Sequence, residues 1–217
     1  LGDVPSGRLY SFFMTHPSLD LYQALKHLRA DPKLALLIER HGAPKFRPAR
    51  DAFRSLTESI IYQQLTGRAA SAIFDHFLDI FPNRRFPSPQ ELLKVSHQRL
   101  RKAGLSNQKA TYVHDLAQKF CDGSIQPREF KTMSNEDISQ HLTQVKGVGQ
   151  WTADMFLMFA LNRPDVLPVG DLGIRKGFKK LFNLRKDPSP EKMIALAESW
   201  RPYRTVASWY VWRAVEE

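Results

Sequence analysis

Cysteine is nearly absent: Cys121 is the only one in 217 residues. That excludes an internal disulfide, a cysteine-rich zinc site and a four-cysteine iron–sulfur cluster. It leaves Cys121 as a small buried hydrophobe in a reducing compartment. No stretch approaches the roughly 18 to 20 consecutive apolar residues that a membrane span requires. Leu1 to Phe13 has neither the basic start nor the clean apolar core of a secretion signal. Apolar/polar alternation with hairpin turns is missing too, which argues against a sheet-based fold. Acidic residues are in deficit, with 22 Asp plus Glu against 32 Lys plus Arg, a net charge of +10 with histidines neutral. The expectation is an intracellular protein, of bacterial cytoplasm or eukaryotic nucleus, with no membrane partner and a surface that attracts polyanions, nucleic acid first.

What is present is period-3.6 spacing almost throughout, so the expected fold class is all-α. Apolar residues make up 42% of the chain, enough for a real core. Helix starts recur at Asp31-Pro32, Ser88-Pro89-Gln90-Glu91, Ser134-Asn135-Glu136-Asp137 and Ser189-Pro190-Glu191, two of them with a carboxylate three residues after the cap. The pattern predicts helices over 18–29, 32–41, 51–63, 67–80, 89–95, 97–103, 107–121, 135–145, 150–161, 172–183, 190–200 and 203–215, joined by short connections.

The stretch "KGVGQWTADMFLMFALNRPDVLPVGD", 146–171, is the most informative. Gly147-Val148-Gly149 is the whole turn between two helices whose apolar faces are Ile138, Leu142, Val145 and Ala153, Phe156, Leu157. Two glycines permit backbone angles closed to other residues and keep side chains away from whatever approaches. The helix that follows starts with bare N–H groups and the positive end of its dipole, which suit a phosphate. Backbone carbonyls of Val145 and Gly147 are candidate ligands for a bridging K+ or Na+. An ordinary αα-hairpin that uses glycine for close packing is the other reading.

The hairpin, followed by a Gly/Pro-rich extended piece ending at Gly170-Asp171, resembles the helix-hairpin-helix (HhH-GPD) DNA glycosylase superfamily, and within it the 3-methyladenine DNA glycosylase II branch. The likeness runs from about Phe53 through "SIIYQQLTGRAASAIFDHF", the hairpin and "LPVGDLGIRKG" to "ESWRPYRTVASWYVW". It implies one two-lobed unit over 1–217, with the cleft between the lobes. A central lobe of roughly 50–165 would carry the hairpin at 138–161, and N- and C-terminal helices, roughly 10–49 and 166–217, would form the second.

The resemblance also implies roles. Asp171 is the catalytic carboxylate, facing positive charge on the sugar of a flipped nucleotide; it also reads as the N-cap of the next helix, and the two are compatible. Trp151 and Tyr203 line the base pocket, with Tyr62 beside the neighbouring turn, and an aromatic face suits a cationic alkylated purine. Leu65 in "YQQLTGRAA" is the wedge that fills the vacated stack, with Gln63, Gln64 and Thr66 near base edges. A hydrophobic staple before an N-cap Thr66 is the alternative for Leu65. Some relatives carry histidine at the Thr66 position. Lys146, Gly147, Val148, Gly149 and Thr152 belong to the DNA-binding hairpin, and Lys146 meets phosphate or solvent. Bifunctional relatives carry a Schiff-base lysine where this chain has Thr152, so lyase chemistry is not expected. The aromatic residues Trp200, Trp209, Tyr210 and Trp212 read as core at helical spacing. The function expected is a monomeric, monofunctional glycosylase that needs no cofactor and excises alkylated bases from double-stranded DNA. A binder of damaged or abasic DNA without turnover and a DNA-binding scaffold are the alternatives.

Overall fold

The computed structural model describes residues 19–216, and the expected start of the second lobe at 10–18 and the segment Leu1 to Phe13 lie outside them. Within that range the chain is all-helical, with no strand. The helices are α1 (Leu21–Leu28), α2 (Pro32–His41), α3 (Ala52–Tyr62), α4 (Gly67–Leu78), α5 (Pro89–Leu93), α6 (His97–Lys102), α7 (Asn107–Cys121), α8 (Asn135–Thr143), α9 (Gln150–Met155), α10 (Leu172–Leu181), α11 (Pro190–Leu196) and α12 (Arg204–Glu216). Beyond Met155, α9 widens into a π-turn over Phe156–Ala160. No described helix is long and apolar enough to cross a membrane.

The starts are set by short polar side chains. Asp20, Asp31, Asp51, Ser88, Ser96, Ser106, Ser134, Ser189 and Asp171 each accept a backbone N–H in the first turn, a bond worth about 1 kcal/mol apiece. Ser88–Glu91 and Ser134–Asp137 close reciprocal capping boxes. Several helices end a few residues earlier than periodicity predicts, because their last apolar residues continue into 3₁₀ turns or extended chain. Not all connections are short: 42–51 and 161–171 are extended segments without a helix. Cys121 ends α7, free and half-buried rather than fully buried.

The apolar core forms two clusters. One gathers side chains from α3 to α9 and Val166, and the other from α1, α2, α10, α11 and α12. Trp212 is the one described residue that packs against both. Its helix, α12, is buried on most of its circumference, with Thr205, Val206, Ala207, Tyr210 and Val211 all at 0% exposure.

The most extensive helix pairing is α10 against α12. Gly173 and Gly177, one turn apart on α10, make it possible. A Cβ on Gly177 would lie 2.3 Å from the Val211 carbonyl oxygen, and one on Gly173 would lie 2.8 Å from the Trp212 ring. Neither glycine has a positive φ, so both are there for space. Gly177→Ala is therefore expected to destabilise the fold by about 1–3 kcal/mol in urea unfolding, because the clash is with backbone. That exceeds the roughly 1 kcal/mol gained from alanine's better helix propensity, and a stabilised variant would contradict the packing account.

Candidate active site

Asp171 is where the two clusters meet chemically. The loop that delivers it is fastened at three points. Arg163, 5% exposed, donates to the carbonyls of Phe130 and Met133. Asp165 pairs with Arg204 at 2.6 Å and Arg201 at 2.7 Å. The Thr205 hydroxyl donates to the Arg163 carbonyl and accepts the Val166 N–H. At the end of this loop Asp171 caps α10, its Oδ1 accepting the Ile174 N–H at 2.8 Å. Two indoles complete the shell: Trp212 Nε1 donates to Oδ1 at 2.8 Å and Trp151 Nε1 to Oδ2 at 2.7 Å. A carboxylate has about four lone-pair sites. Three are filled by donors that lock its rotation, and the one left is on Oδ2.

Trp151 is the first-turn residue of α9 and stays 48% exposed. Its ring forms a wall of a cleft of about 590 Å³, which is also lined by Ser59, Tyr62, Gln63, Gln64, Leu65, Thr152 and Met155. The indole thus shows a face to the cleft and gives its N–H to Asp171. Tyr62 is held by an edge contact with Phe74 and a 3.2 Å hydrogen bond to Ser71. Farther along the same helix the π-turn, closed by the Leu161 N–H on the Phe156 carbonyl, carries the half-exposed Phe159. Phe159 stacks between Trp212 and Phe46.

The hairpin and the turn carrying Leu65 are one assembly. Gly147 has φ +81°, and a Cβ there would lie 2.1 Å from the Tyr112 ring, so both backbone and space require glycine. Gly149 departs from expectation: its φ is −95°, open to any residue, and nothing lies within 4 Å of its missing Cβ. Its use is to leave the start of α9 bare. Gln63 also departs. Its amide donates to the Gly147 carbonyl at 2.8 Å and points at Thr152, so it ties the two turns together and does not reach out to base edges. Thr152 is 3% exposed, a floor residue of the cleft with no surface to offer DNA. Val148 buries its side chain in the core, and its N–H closes the turn on the Val145 carbonyl. Lys146 is exposed, and its backbone N–H donates to Asp115 at 2.9 Å.

Gln64 adopts φ +56°, uncommon for a residue with a side chain, and Leu65 follows it at 38% exposure. Thr66 stands at the N-cap of α4 without a side-chain capping bond, which removes the cap from the staple reading. Lys109 was not legible as a site residue. From α7 its ammonium donates to the carbonyls of Ile61 and Gln63 at 2.6 and 2.7 Å and so caps the end of α3 under the Leu65 turn. Tyr203 is not brought to the cleft: its ring lies 5.5 Å from His27 of α1, on the second cluster. Trp200 and Tyr210 are core, at 1% and 0% exposure. Trp212, read as core from spacing alone, packs against both clusters and also reaches Asp171.

The chain belongs to the HhH-GPD superfamily of base excision DNA repair proteins, whose family model matches residues 57–202. It is 35% identical to DNA-3-methyladenine glycosylase 1 of Schizosaccharomyces pombe over 83% of this chain and 80% of that one. It is 29% identical to a putative DNA-3-methyladenine glycosylase of Bacillus subtilis over 90% and 70%. Two solved structures share the fold at 34% identity. One is the S. pombe 3-methyladenine DNA glycosylase in complex with abasic DNA, with a TM-score of 0.79 over 90% of this chain and 97% of that one. The other is a DNA-3-methyladenine glycosidase from Bacillus halodurans, with a TM-score of 0.80 over 91% of each.

Three residues after Trp151 on α9, Asp154 is 8% exposed and accepts the Gln150 amide at 2.7 Å. Burial pushes its carboxyl from 3.8 up to about 6. The folded chain therefore holds this proton more tightly than the unfolded one, and stability falls as pH rises from about 3.8 to about 6 before levelling. Asp154→Asn keeps the Gln150 bond and removes the charge. It is expected to be more stable than wild type by about 1–3 kcal/mol at neutral pH, with the difference shrinking toward pH 4. Chemical denaturation across that range checks it, and a constant difference would assign the effect to something other than this carboxyl.

Proposed function

We propose that this protein is a monofunctional DNA glycosylase that hydrolyses the N-glycosidic bond of alkylated bases, of the 3-methyladenine and 7-methylguanine type, in double-stranded DNA, leaving an abasic site for base excision repair. The observation that carries the reading is the orientation of Asp171, with one free Oδ2 site beside the exposed face of Trp151. The names of the relatives point to the same substrate class.

In this reading Leu65 enters the stack as the damaged nucleotide leaves it. The strained Gln64 backbone and the Lys109 cap beneath it hold the leucine outward. The flipped base stacks on Trp151, whose electron-rich face favours a purine made cationic by alkylation, by about 1–2 kcal/mol. The glycosidic bond breaks with its electron pair going to the base, which departs neutral. Positive charge develops on the sugar opposite the fixed Asp171 carboxylate. Water then adds its oxygen to the anomeric carbon and releases a proton. Thr152 supplies no amine for a Schiff base, so strand cleavage is not part of the reaction.

The hairpin grips phosphate through the bare start of α9 and the cation Lys146. Among the described residues no three His, Cys, Asp or Glu side chains cluster as metal ligands. A monovalent ion would instead use backbone oxygens. Val145 and Gly147 each have one carbonyl lone pair engaged, by Val148 and Gln63, and one left, which fits a K+ or Na+ bridging the turn to a phosphate. The protein acts as a single copy inside the cell, where its DNA substrate lies.

Asp171→Asn keeps the side chain's size and its capping oxygen while removing the charge. Affinity for abasic duplex is expected to stay within a few-fold of wild type, while single-turnover release of 3-methyladenine falls by about 10² to 10³. Release at the wild-type rate would remove Asp171 from the chemistry.

A further inference from the structure

The helix that Asp171 caps has one covered stripe and one open one. Ile174, Gly177, Phe178 and Leu181 turn toward α12 and the second core cluster. Leu172, Arg175, Lys176, Lys179 and Lys180 fall on the other side at the same i, i+3, i+4, i+7, i+8 spacing. Leu172, next to Asp171, is 56% exposed; Lys176 and Lys180 are exposed, and Arg175 and Lys179 half-buried. Arg185 and Lys186, both exposed, follow the helix, and between Asp171 and Asp187 the chain has six Lys or Arg and no carboxylate. Lys179 pairs with Asp187 at 3.1 Å. The other five cations have no ion-pair partner among the described residues. The arrangement works against the helix. Arg175–Lys179 and Lys176–Lys180 are like charges four residues apart, which repel, and Arg175 and Lys176 stand toward the positive end of the helix dipole. Solubility alone would be served as well by interleaved carboxylates.

We propose that this face of α10 is a track for the phosphate backbone of the duplex that flanks the flipped nucleotide. The face begins at Asp171, the residue set opposite the sugar. At 1.5 Å of rise per residue, Lys176 and Lys180 stand about 7 and 14 Å along the axis from it. A duplex advances about 3.4 Å per base pair, so the two ammonium groups meet backbone about two and four base pairs from the lesion. The hairpin belongs to the first core cluster and α10 to the second, so the backbone is gripped by both halves of the molecule. Lysine acts on phosphate as a point charge on a flexible stem and reads no base, which leaves the grip independent of sequence.

The track lies within the reading of the chain as a DNA glycosylase, and affinity for abasic duplex tests it without turnover. Lys176→Gln with Lys180→Gln removes two charges at nearly equal helix propensity. The double variant is expected to bind abasic duplex about 10-fold more weakly at low salt, with the slope of log affinity against log salt shallower by about 2, near 0.9 per phosphate contact. Its melting temperature should equal or exceed that of wild type, because two like-charge pairs are relieved. Trimming one arm of the duplex to a single base pair beyond the abasic site should erase the difference between variant and wild type, and trimming the other arm should preserve it. Wild-type affinity and slope in the variant would overturn the track, leaving the face to solvent or to another polyanion. A difference that survives trimming of either arm would also overturn it, because the charges would then act through the net field of the protein and not at a fixed place. Weaker binding accompanied by a lower melting temperature would assign the loss to the fold and overturn it too. Failure of the wild type to bind abasic duplex at all would take the glycosylase reading down with the track, whereas the other contrary results leave that reading standing.

Discussion

The approach of α12 to α10 at backbone distance is the constraint on which the site depends. Without side chains at Gly173 and Gly177, the Val211 backbone and the Trp212 ring lie directly on α10. The helix that Asp171 caps is thereby fixed against Trp212, the one described residue that packs against both cores. The loop feeding Asp171 is fastened to the same helix, through Thr205 and Arg204, and to the first cluster through Arg163. Asp171 is thus held from both ends of its own segment, and its carboxylate is then locked by two indoles.

The second half of the site is organised around Gln63 and Lys109. Gln63 binds the hairpin's Gly147 carbonyl, and Lys109 gathers the last carbonyls of α3. A charge spent on carbonyls is partly desolvated, and burial lowers the Lys109 pKa. The hairpin, the Leu65 turn and the cleft floor at Thr152 therefore form one piece, which the exposed Trp151 connects to Asp171. In the proposed mechanism, gripping the backbone, filling the stack and facing the sugar are done by parts that share hydrogen bonds.

What the sequence made legible was local. Ser88, Ser134, Ser189 and Asp31 announce helix starts, and they cap as expected, because a capping bond spans only two or three residues. The Gly147 turn and Asp171 stand out because glycine and a lone carboxylate interrupt apolar periodicity. What stayed hidden was long-range. Trp212 is 41 residues from Asp171, and Gln63 is 84 from Gly147, so neither pairing leaves a periodic trace. Trp212 sits at ordinary helical spacing and was read as core. The one available hint was Gly173 with Gly177, a small-residue pair that marks a close helix neighbour. Tyr203 failed for a related reason: a matching place in a motif does not say which way the corner at Trp200 turns its ring, and here it turns toward His27.

The most direct measurement is of what the wild-type protein releases from DNA. Duplex treated with a methylating agent and incubated with the protein should yield free 3-methyladenine and 7-methylguanine by mass spectrometry. Its strands should stay intact until alkali cleaves them at the abasic sites. Borohydride should trap no protein–DNA adduct. No free base above the spontaneous background would contradict the glycosylase itself, and strand scission without alkali, or a trapped adduct, would contradict its monofunctional chemistry.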